Sequence, residues 1–347
     1  LGLALLVKGS DIFVNAISRL AKRIGISDFI IGLTIVAIGT SVPELANTII
    51  SSVKGYNEII IGNIVGSNVI NITLLLGLSA ILGNIKIKKE VIERDGYLVV
   101  FVSFLFFLSI LFWRIKRLEG FMLLTLYAAY LLFLFKSKRV FWEQKFSEFF
   151  TYYMKFQFVE TIKQFKEKTQ NHRKIDAHLS NAIRKHRKGH ITRRILRDSF
   201  IAIISLIALA QGSNMVVNQA VALAARFNIS QTIIATVIIA TGTTLPELTV
   251  SLTAARKGFN NIAVGNLLGS NIANILLVIG IGAVLRPIQV AKVAMFFSIP
   301  YLMFVSSFVL YLIKQKQEVS KTSGIILLVL YMIFMATNAI LSQINFS

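Results

Sequence analysis

Apolar residues occur along this chain in runs of about twenty, separated by short polar or basic segments. About twenty apolar residues are enough for an α-helix to cross the hydrocarbon core of a bilayer. The pattern therefore predicts an all-α integral membrane protein with ten transmembrane helices, as two sets of five. The predicted spans cover about residues 1–20, 29–53, 59–83, 97–113, 119–135, 199–225, 231–255, 261–285, 290–313 and 323–342.

Two polar stretches interrupt the apolar runs, and they resemble each other closely. The first is Ala37-Ile-Gly-Thr-Ser-Val-Pro-Glu-Leu-Ala-Asn47 and the second is Ala240-Thr-Gly-Thr-Thr-Leu-Pro-Glu-Leu-Thr-Val250. A constant separation of 203 residues held over about fifty positions indicates a duplicated module. Five helices per copy, an odd number, predict that the halves insert in opposite orientations as inverted repeats. The separation relates Glu44 to Glu247, Gly62-Asn63 to Gly265-Asn266, Gly66-Ser67-Asn68 to Gly269-Ser270-Asn271, and Asn71 to Asn274.

Each polar stretch combines a glutamate with residues that interrupt a helix. An ionised glutamate within the bilayer costs several kcal/mol, so such a residue indicates a functional site. Pro43 lacks a backbone donor, and Gly39 readily leaves helical geometry. Irregular backbone at membrane depth is tolerated only where it is buried in protein or lines a wet cavity. We therefore predict a cation site beside Glu44, with its counterpart at Glu247.

The next predicted helix in each half carries a polar stripe. Asn63, Ser67 and Asn71 lie on one face because residues three or four apart align on a helix. Carboxylates, hydroxyls, amides and freed carbonyls form an all-oxygen set that suits hard cations, and calcium accepts six to eight oxygens in flexible geometry. Soft metals would require histidine or cysteine. The chain has no cysteine, and its histidines all lie between the two halves: His172, His178, His186 and His190.

Composition and charge agree with a membrane protein. Hydrophobic residues make up 55% of the chain, with a formal net charge of +21. Basic residues gather in cytoplasmic loops of membrane proteins, and no nucleic-acid-binding module is visible. Loops on the side of the central linker hold twelve Lys or Arg against seven on the other side. This predicts a cell-membrane protein with a cytoplasmic linker and extracellular termini. In the first helix, Lys8 and Asp11 are expected to form an intrahelical ion pair.

The linker separates the two repeats, which we assign to residues 1–135 and 199–347. Residues 136–198 contain 17 Lys or Arg and 6 Asp or Glu. Aromatic residues recur there at helical spacing, which predicts a basic amphipathic helix on an anionic lipid surface or on the inner face of the protein. These aromatic residues are Trp142, Phe146, Phe149, Phe150 and Tyr153.

Gly39-Thr-Ser-Val-Pro-Glu44 with Gly62-Asn-Ile-Val-Gly-Ser-Asn68, and their second copies, resemble the paired α-repeats of the sodium/calcium exchanger family. The resemblance covers all ten predicted spans but not the linker. It implies sodium and calcium as transported ions, antiport by alternating access, and no cofactor. For calcium it implies Glu44 and Glu247 with the backbone carbonyls of Thr40 and Thr243. For sodium it implies these two glutamates with Ser41, Ser67, Thr244, Ser270 and the carbonyls of Ala37 and Ala240.

By the same resemblance, Asn71 and Asn274 line the middle of the site. Many exchangers of this family carry Asp where this chain has Asn274, so the pocket here has two carboxylates. Calcium/proton antiport, with the glutamates carrying the protons, remains the main alternative. A passive cation channel is a second. An intramembrane enzyme with Ser41 as nucleophile would need a nearby base, and the repeats offer only the loop residues Lys54 and Lys257, so we predict no enzymatic activity.

Overall fold

The computed structural model describes residues 1–82, 85–136, 144–164, 181–226 and 240–341. These residues are almost entirely helical. The main helices are α1 (Gly2–Ile24), α2 (Asp28–Thr40), α3 (Val42–Lys54), α4 (Asn57–Leu82), α5 (Tyr97–Ile110), α6 (Arg117–Lys136), α7 (Phe146–Met154), α8 (Asn181–Arg226), α9 (Ala240–Thr243), α10 (Leu245–Arg256), α11 (Asn260–Leu285), α12 (Ala294–Lys316) and α13 (Lys321–Leu341). Shorter helical segments lie at Lys89–Val91 and Ile92–Gly96, directly before α5, and at 157–164.

Six of the described helices are long and apolar enough to cross a membrane. They are α4, α6, α8, α11, α12 and α13, and α2 with α3 makes a seventh if this pair, bent by 43°, is one span. This confirms a predominantly helical membrane protein with several candidate spans. Helices α1 and α5 lie where two further spans are predicted. The predicted span at 231–255 is described only from residue 240 onward, where α9 and α10 lie.

Helix ends follow local chemistry that is visible in the sequence. Helices α1, α3 and α10 are each followed within two residues by a glycine with positive φ, namely Gly25 (φ 74°), Gly55 (φ 80°) and Gly258 (φ 77°). Only glycine adopts this left-handed conformation without a steric cost. Ser27 then caps α2 by accepting the N–H of Ile30 at 3.2 Å. Helix α8 begins within the segment assigned to the linker.

Helices α4 and α11 lie at the centre of the protein. Their most apolar windows are 83% and 78% buried, against 17% for the peripheral α13. Glycine permits the close packing of α11 on α2, because a methyl group at Gly265 would lie 2.5 Å from the carbonyl oxygen of Phe29. Small residues let helix backbones approach within a membrane. The polar stripes of the two helices are therefore held in the interior, away from lipid.

Two short antiparallel sheets each join one strand from each half. The strands are β1 (Ile85–Lys86), β2 (Arg114–Ile115), β3 (Ile288–Gln289) and β4 (Glu318–Val319). Strand β1 pairs with β4, and β2 pairs with β3. Strands β1 and β3 follow the equivalent helices α4 and α11. The two halves are thus interlocked at both ends of the helical core.

The described part of the linker packs on the first half. Phe149 and Tyr152 of α7 are buried, whereas Phe150 is 41% exposed. The ring of Phe149 lies 5.7 Å from that of Tyr130 and 5.5 Å from that of Phe133, both on α6. The amphipathic helix therefore exists, with Tyr152 as a more deeply buried aromatic residue than the predicted Tyr153. Trp142 lies outside the described residues.

Candidate cation-binding site

The two polar stretches form equivalent breaks in the helical backbone. Ser41 separates α2 from α3 with φ −84° and ψ 9°, and Thr244 separates α9 from α10 with φ −85° and ψ 0°. A proline follows in the first turn of each second helix, at Pro43 and Pro246. Proline is tolerated in a first helical turn, where its missing N–H has no intrahelical partner. The Pro–Glu sequence therefore starts a new helix at each break.

The break also releases backbone oxygens. Pro43 has no N–H to donate to the carbonyl of Gly39. Helix α2 ends at Thr40 and α3 begins at Val42, so the regular pattern of N–H-to-carbonyl bonds is interrupted at Ser41, and it is interrupted in the same way at Thr244. In a continuous helix the N–H of Glu44 would bond to the carbonyl of Thr40. The interruption thus frees main-chain acceptors close to the carboxylate, as the sequence predicts.

The two glutamates are almost completely shielded from solvent. Glu44 is 0% exposed and Glu247 is 1% exposed. The Ser67 hydroxyl donates to Glu44 Oε1 at 3.3 Å, and the Ser41 hydroxyl donates to Glu247 Oε1 at 3.2 Å. The second bond crosses between the halves, and the two glutamates are close enough to repel each other electrostatically. Within the described ranges neither carboxylate forms an ion pair with a basic side chain.

Amide side chains connect the two breaks to the opposite halves. The Thr40 hydroxyl donates to Asn266 Oδ1 at 3.1 Å, and the Thr243 hydroxyl donates to Asn63 Oδ1 at 2.9 Å. These bonds are equivalent under the 203-residue separation. Asn266 also donates to Ser251 at 2.9 Å. The threonine hydroxyls therefore hold the break of one half against the central helix of the other.

A second set of amides crosses the middle of the site. Asn274 Nδ2 donates to Asn68 Oδ1 at 3.0 Å, and Asn68 Nδ2 donates to the carbonyl of Asn271 at 3.3 Å. Asn71, the counterpart of Asn274, forms no side-chain hydrogen bond with any described residue through either of its polar atoms. The three asparagines Asn68, Asn71 and Asn274 are all fully buried. Helices α4 and α11 thus face each other through polar side chains.

Several buried oxygens in this region have no hydrogen-bond partner within the part of the chain that the structure describes. Buried polar atoms in native proteins are nearly always paired, so an unpaired cluster indicates a site for a bound species. Burial of an ionised group without a partner is also costly. The atoms include Glu44 Oε2, Glu247 Oε2, Asn71 Oδ1, Asn271 Oδ1, Asn274 Oδ1 and Ser270 Oγ.

Some of the predicted ligands already have partners within the protein. The carbonyl of Ala37 accepts the N–H of Ser41 at 3.1 Å and the hydroxyl of Thr40 at 3.4 Å. The Thr244 hydroxyl donates to the carbonyl of Thr241 at 2.9 Å. Ala240 is the first residue of α9, so its backbone lies at the second break.

Asn63 and its counterpart Asn266 belong to the predicted polar stripes, whereas Asn68 and Asn271 are not among the predicted site residues, although the repeated Gly-Ser-Asn motif contains them. Their spacing from Asn71 and Asn274 is regular, and this regular spacing is the signal in the sequence that could have identified them as site residues. What the sequence could not indicate was the partner of each amide across the two halves, because the paired atoms are 180–226 residues apart.

The arrangement suits a hard cation that enters and leaves. Among the described residues, no three His, Cys, Asp or Glu side chains form a cluster that would hold a resident metal ion. The site instead offers two carboxylates together with neutral hydroxyl, amide and carbonyl oxygens. Two negative charges match one divalent cation, and oxygen ligands of mixed type are those that calcium accepts.

The chain is similar to known proteins in family, in sequence and in structure. The family described as "Sodium/calcium exchanger protein" matches residues 1–136 and 199–339. The "Sodium/calcium exchanger MaX1" of Methanosarcina acetivorans is 37% identical over 337 residues, which cover 96% of this chain and 95% of that protein. The "Inner membrane protein YrbG" of Escherichia coli is 31% identical over 84% of this chain and 80% of that protein.

The fold also matches a solved exchanger structure. The sodium-calcium exchanger NCX_Mj, soaked with 100 mM Na⁺ and 10 mM Sr²⁺, superposes with a TM-score of 0.73 at 29% sequence identity. The match covers 96% of this chain and 95% of that one. The family match covers the two helical halves and omits most of the linker, since it ends at residue 136 and resumes at residue 199.

Proposed function

Since the chain belongs to the sodium/calcium exchanger family, whose members are transporters and not enzymes, we propose that it is a secondary antiporter that exchanges sodium for calcium by alternating access. The observation that carries this proposal is the pair of buried glutamates, each with one unpaired oxygen and with no basic partner among the described residues. Such a pair is costly without a cation. A bound cation removes this cost. After the first cation leaves, a second cation must bind before the protein can return to its starting conformation.

The proposed architecture is ten transmembrane helices arranged as two inverted five-helix repeats. Three equivalences support it: α4 with α11, β1 with β3, and the break at Ser41 with that at Thr244. Close glycine contacts are also related in this way. Gly77 approaches Gly324, and Gly280 approaches Gly120. Each contact joins one half to the other, as expected for halves related by a two-fold axis in the membrane plane.

The proposed ligands follow from this pseudo-symmetry. Glu44 and Glu247 neutralise one calcium ion, and the carbonyls of Thr40 and Thr243 complete its shell. Sodium ions occupy flanking positions made from the same carboxylates. The remaining sodium ligands are Ser41, Ser67, Thr244 and Ser270 with the carbonyls of Ala37 and Ala240, and Asn71 and Asn274 line the middle.

The proposed orientation places the linker in the cytoplasm and both termini outside. The charge of the loops supports this orientation, because basic residues accumulate on the cytoplasmic side. The linker, residues 136–198, connects the two repeats without providing ion ligands and contacts anionic lipid through its basic residues. Packing of α7 on α6 accords with a connector that is anchored to the first repeat.

The decisive experiment measures calcium-45 uptake into proteoliposomes with and without an outward sodium gradient. We expect the sodium gradient to drive uptake. A proton gradient that drives uptake while sodium does not would establish calcium/proton antiport through the same glutamates. Calcium currents resolved as single-channel openings would establish a channel. Either result would overturn the proposed exchange.

A further inference from the structure

Helices α1 and α8 form a closely packed pair. A methyl group at Gly2 would lie 3.0 Å from the carbonyl oxygen of Gly212, and one at Gly212 would lie 2.9 Å from that of Gly2. The fully buried Asp198 of α8 also binds Arg23, and it accepts a hydrogen bond from Arg19 at 3.3 Å. Backbone contact at one end and ion pairs at the other hold the two helices together as one unit.

This pair of helices is packed unequally on the two halves. Helices α1 and α8 both pack on α10, whereas neither packs to a comparable extent on α3 within the described ranges. Helix α3 is the counterpart of α10. Its residues Ile50 and Val53 are 55% and 71% exposed, although the Thr253 counterpart of Ile50 is partly covered. Within the described ranges, α1 and α8 therefore cover α10, and we call this the closed side; they leave α3 uncovered, and we call that the open side.

Two polar contacts fasten the closed side. The hydroxyls of Ser10 and Thr253 lie 2.9 Å apart, and the Ser10 hydroxyl donates to the carbonyl of Val7, so Thr253 is the donor to Ser10. Lys257 Nζ lies 2.5 Å from Asp11 Oδ1 and 3.1 Å from the carbonyl of Asp11. The predicted intrahelical pair of Asp11 with Lys8 is thus wrong, because Lys257 comes closer and offers a bond between helices.

The equivalent positions on the open side cannot form these contacts. The 203-residue separation relates Ser10 and Thr253 to Ser213 and Ile50, and Ile50 has no hydroxyl. It relates Asp11 and Lys257 to Asn214 and Lys54. Asparagine carries no charge to attract a lysine. The opposite closed state would therefore lack both the ion pair and the hydroxyl pair.

We infer that Ser10–Thr253 and Asp11–Lys257 form a one-sided latch that favours the state closed at the end of α10. The inference rests on the proposed alternating access. Transport then requires α1 to leave α10, which breaks both contacts, and α8 to cover α3. Because the half-exposed ion pair has no counterpart, the two states are unequal in free energy, and Lys257 is a positioning residue for transport.

Disulfide trapping tests whether the latch must open. The chain contains no cysteine, so Ser10→Cys with Thr253→Cys introduces one thiol pair where two hydroxyls now touch. We expect oxidation to abolish calcium flux in proteoliposomes and a reductant to restore it. Full flux through the cross-linked protein would overturn the latch, because α1 would then not need to move.

A second measurement tests the bias and needs no transport. Ser213→Cys with Ile50→Cys should cross-link only when α8 covers α3, so its oxidation rate reports the minor state. Exposed ion pairs contribute modestly, and we expect Lys257→Gln to raise this rate about two- to fivefold. The matched control, Lys54→Gln, should leave the rate unchanged. No cross-linking in any variant, or equal rates in the two lysine variants, would overturn the inference. A response to Lys257→Gln without sodium-driven calcium uptake would instead refute the proposed exchange and leave the latch in place.

Discussion

Replacing Glu44 by glutamine tests the charge balance of the proposed site. The substitution keeps the size of the side chain and leaves an oxygen beside Ser67, which donates to Glu44 at 3.3 Å. It removes one of the two negative charges that face the cargo. Glu44 is completely buried, so solvent screens this charge poorly, and its removal should affect calcium strongly.

The size of the effect follows from Coulomb's law. Two unit charges about 4 Å apart interact by about 4 kcal/mol at an effective dielectric constant of about 20. A divalent ion doubles this energy, and the neutral amide oxygen with local rearrangement offsets part of it. We therefore expect a loss of about 4 kcal/mol in calcium binding, which corresponds to about a thousandfold lower affinity.

The assay is initial calcium-45 uptake as a function of calcium concentration, at a fixed sodium gradient. Thermal unfolding without calcium gives an independent measure, because the variant lacks the repulsion between Glu44 and Glu247. Removing a buried charge that has no opposite partner relieves its desolvation cost. We therefore expect a higher Tm for Glu44→Gln in the absence of calcium.

The exposed Glu58 of α4 provides the matched control. Glu58→Gln also removes one negative charge from the same half, but it should leave both uptake and Tm unchanged. Wild-type uptake by Glu44→Gln and by Glu247→Gln would refute the assignment of the site. A loss of uptake with a lower Tm would instead indicate a folding defect.

Three further outcomes are expected. Asn274→Asp adds a third carboxylate beside two others, and because neighbouring negative charges disfavour ionisation, calcium uptake should become inhibited by protons at higher pH than in the wild type; identical pH profiles would mean that Asn274 does not face the ions. Phe149→Ala should lower the free energy of unfolding by about 3–5 kcal/mol, as measured by denaturation. Phe150→Ala should lower it by less, because Phe150 is 41% exposed. Replacing residues 136–198 with a flexible tether should leave selectivity for calcium over potassium intact, and a loss of this selectivity would place ion ligands in the linker.

Much of the fold could be predicted because a membrane restricts the structures that a membrane-spanning segment can adopt. Apolar runs of about twenty residues predict spans wherever the bilayer must be crossed, and the described helices lie within a few residues of most of the predicted bounds. The long extension of α8 toward residue 181 was not predicted. Its basic sequence is a typical linker composition, and no apolar stripe marks it as helical.

The components of the site were also readable from the sequence. Pro43 and Glu44 in an apolar run indicate a broken helix with a buried acid, and their repetition at Pro246 and Glu247 indicates that both copies serve one site. The comparisons with known exchangers confirm the family that these motifs resemble. The chemistry of a short motif depends on residues that are adjacent in the sequence. It can therefore be predicted without knowing which distant residues pack against the motif.

By itself, the sequence determined the class of protein, the broken helices and the oxygen chemistry around Glu44 and Glu247. Only the tertiary structure decided which distant groups meet: Ser41 with Glu247, Thr40 with Asn266, and Asp11 with Lys257 rather than with Lys8. The physical reason is that periodicity and helix breaking act over a few residues, whereas the packing of one half on the other selects each partner. A repeat can show that two motifs are equivalent, but the unequal contacts of α1 and α8 with the two halves exist only in the folded protein.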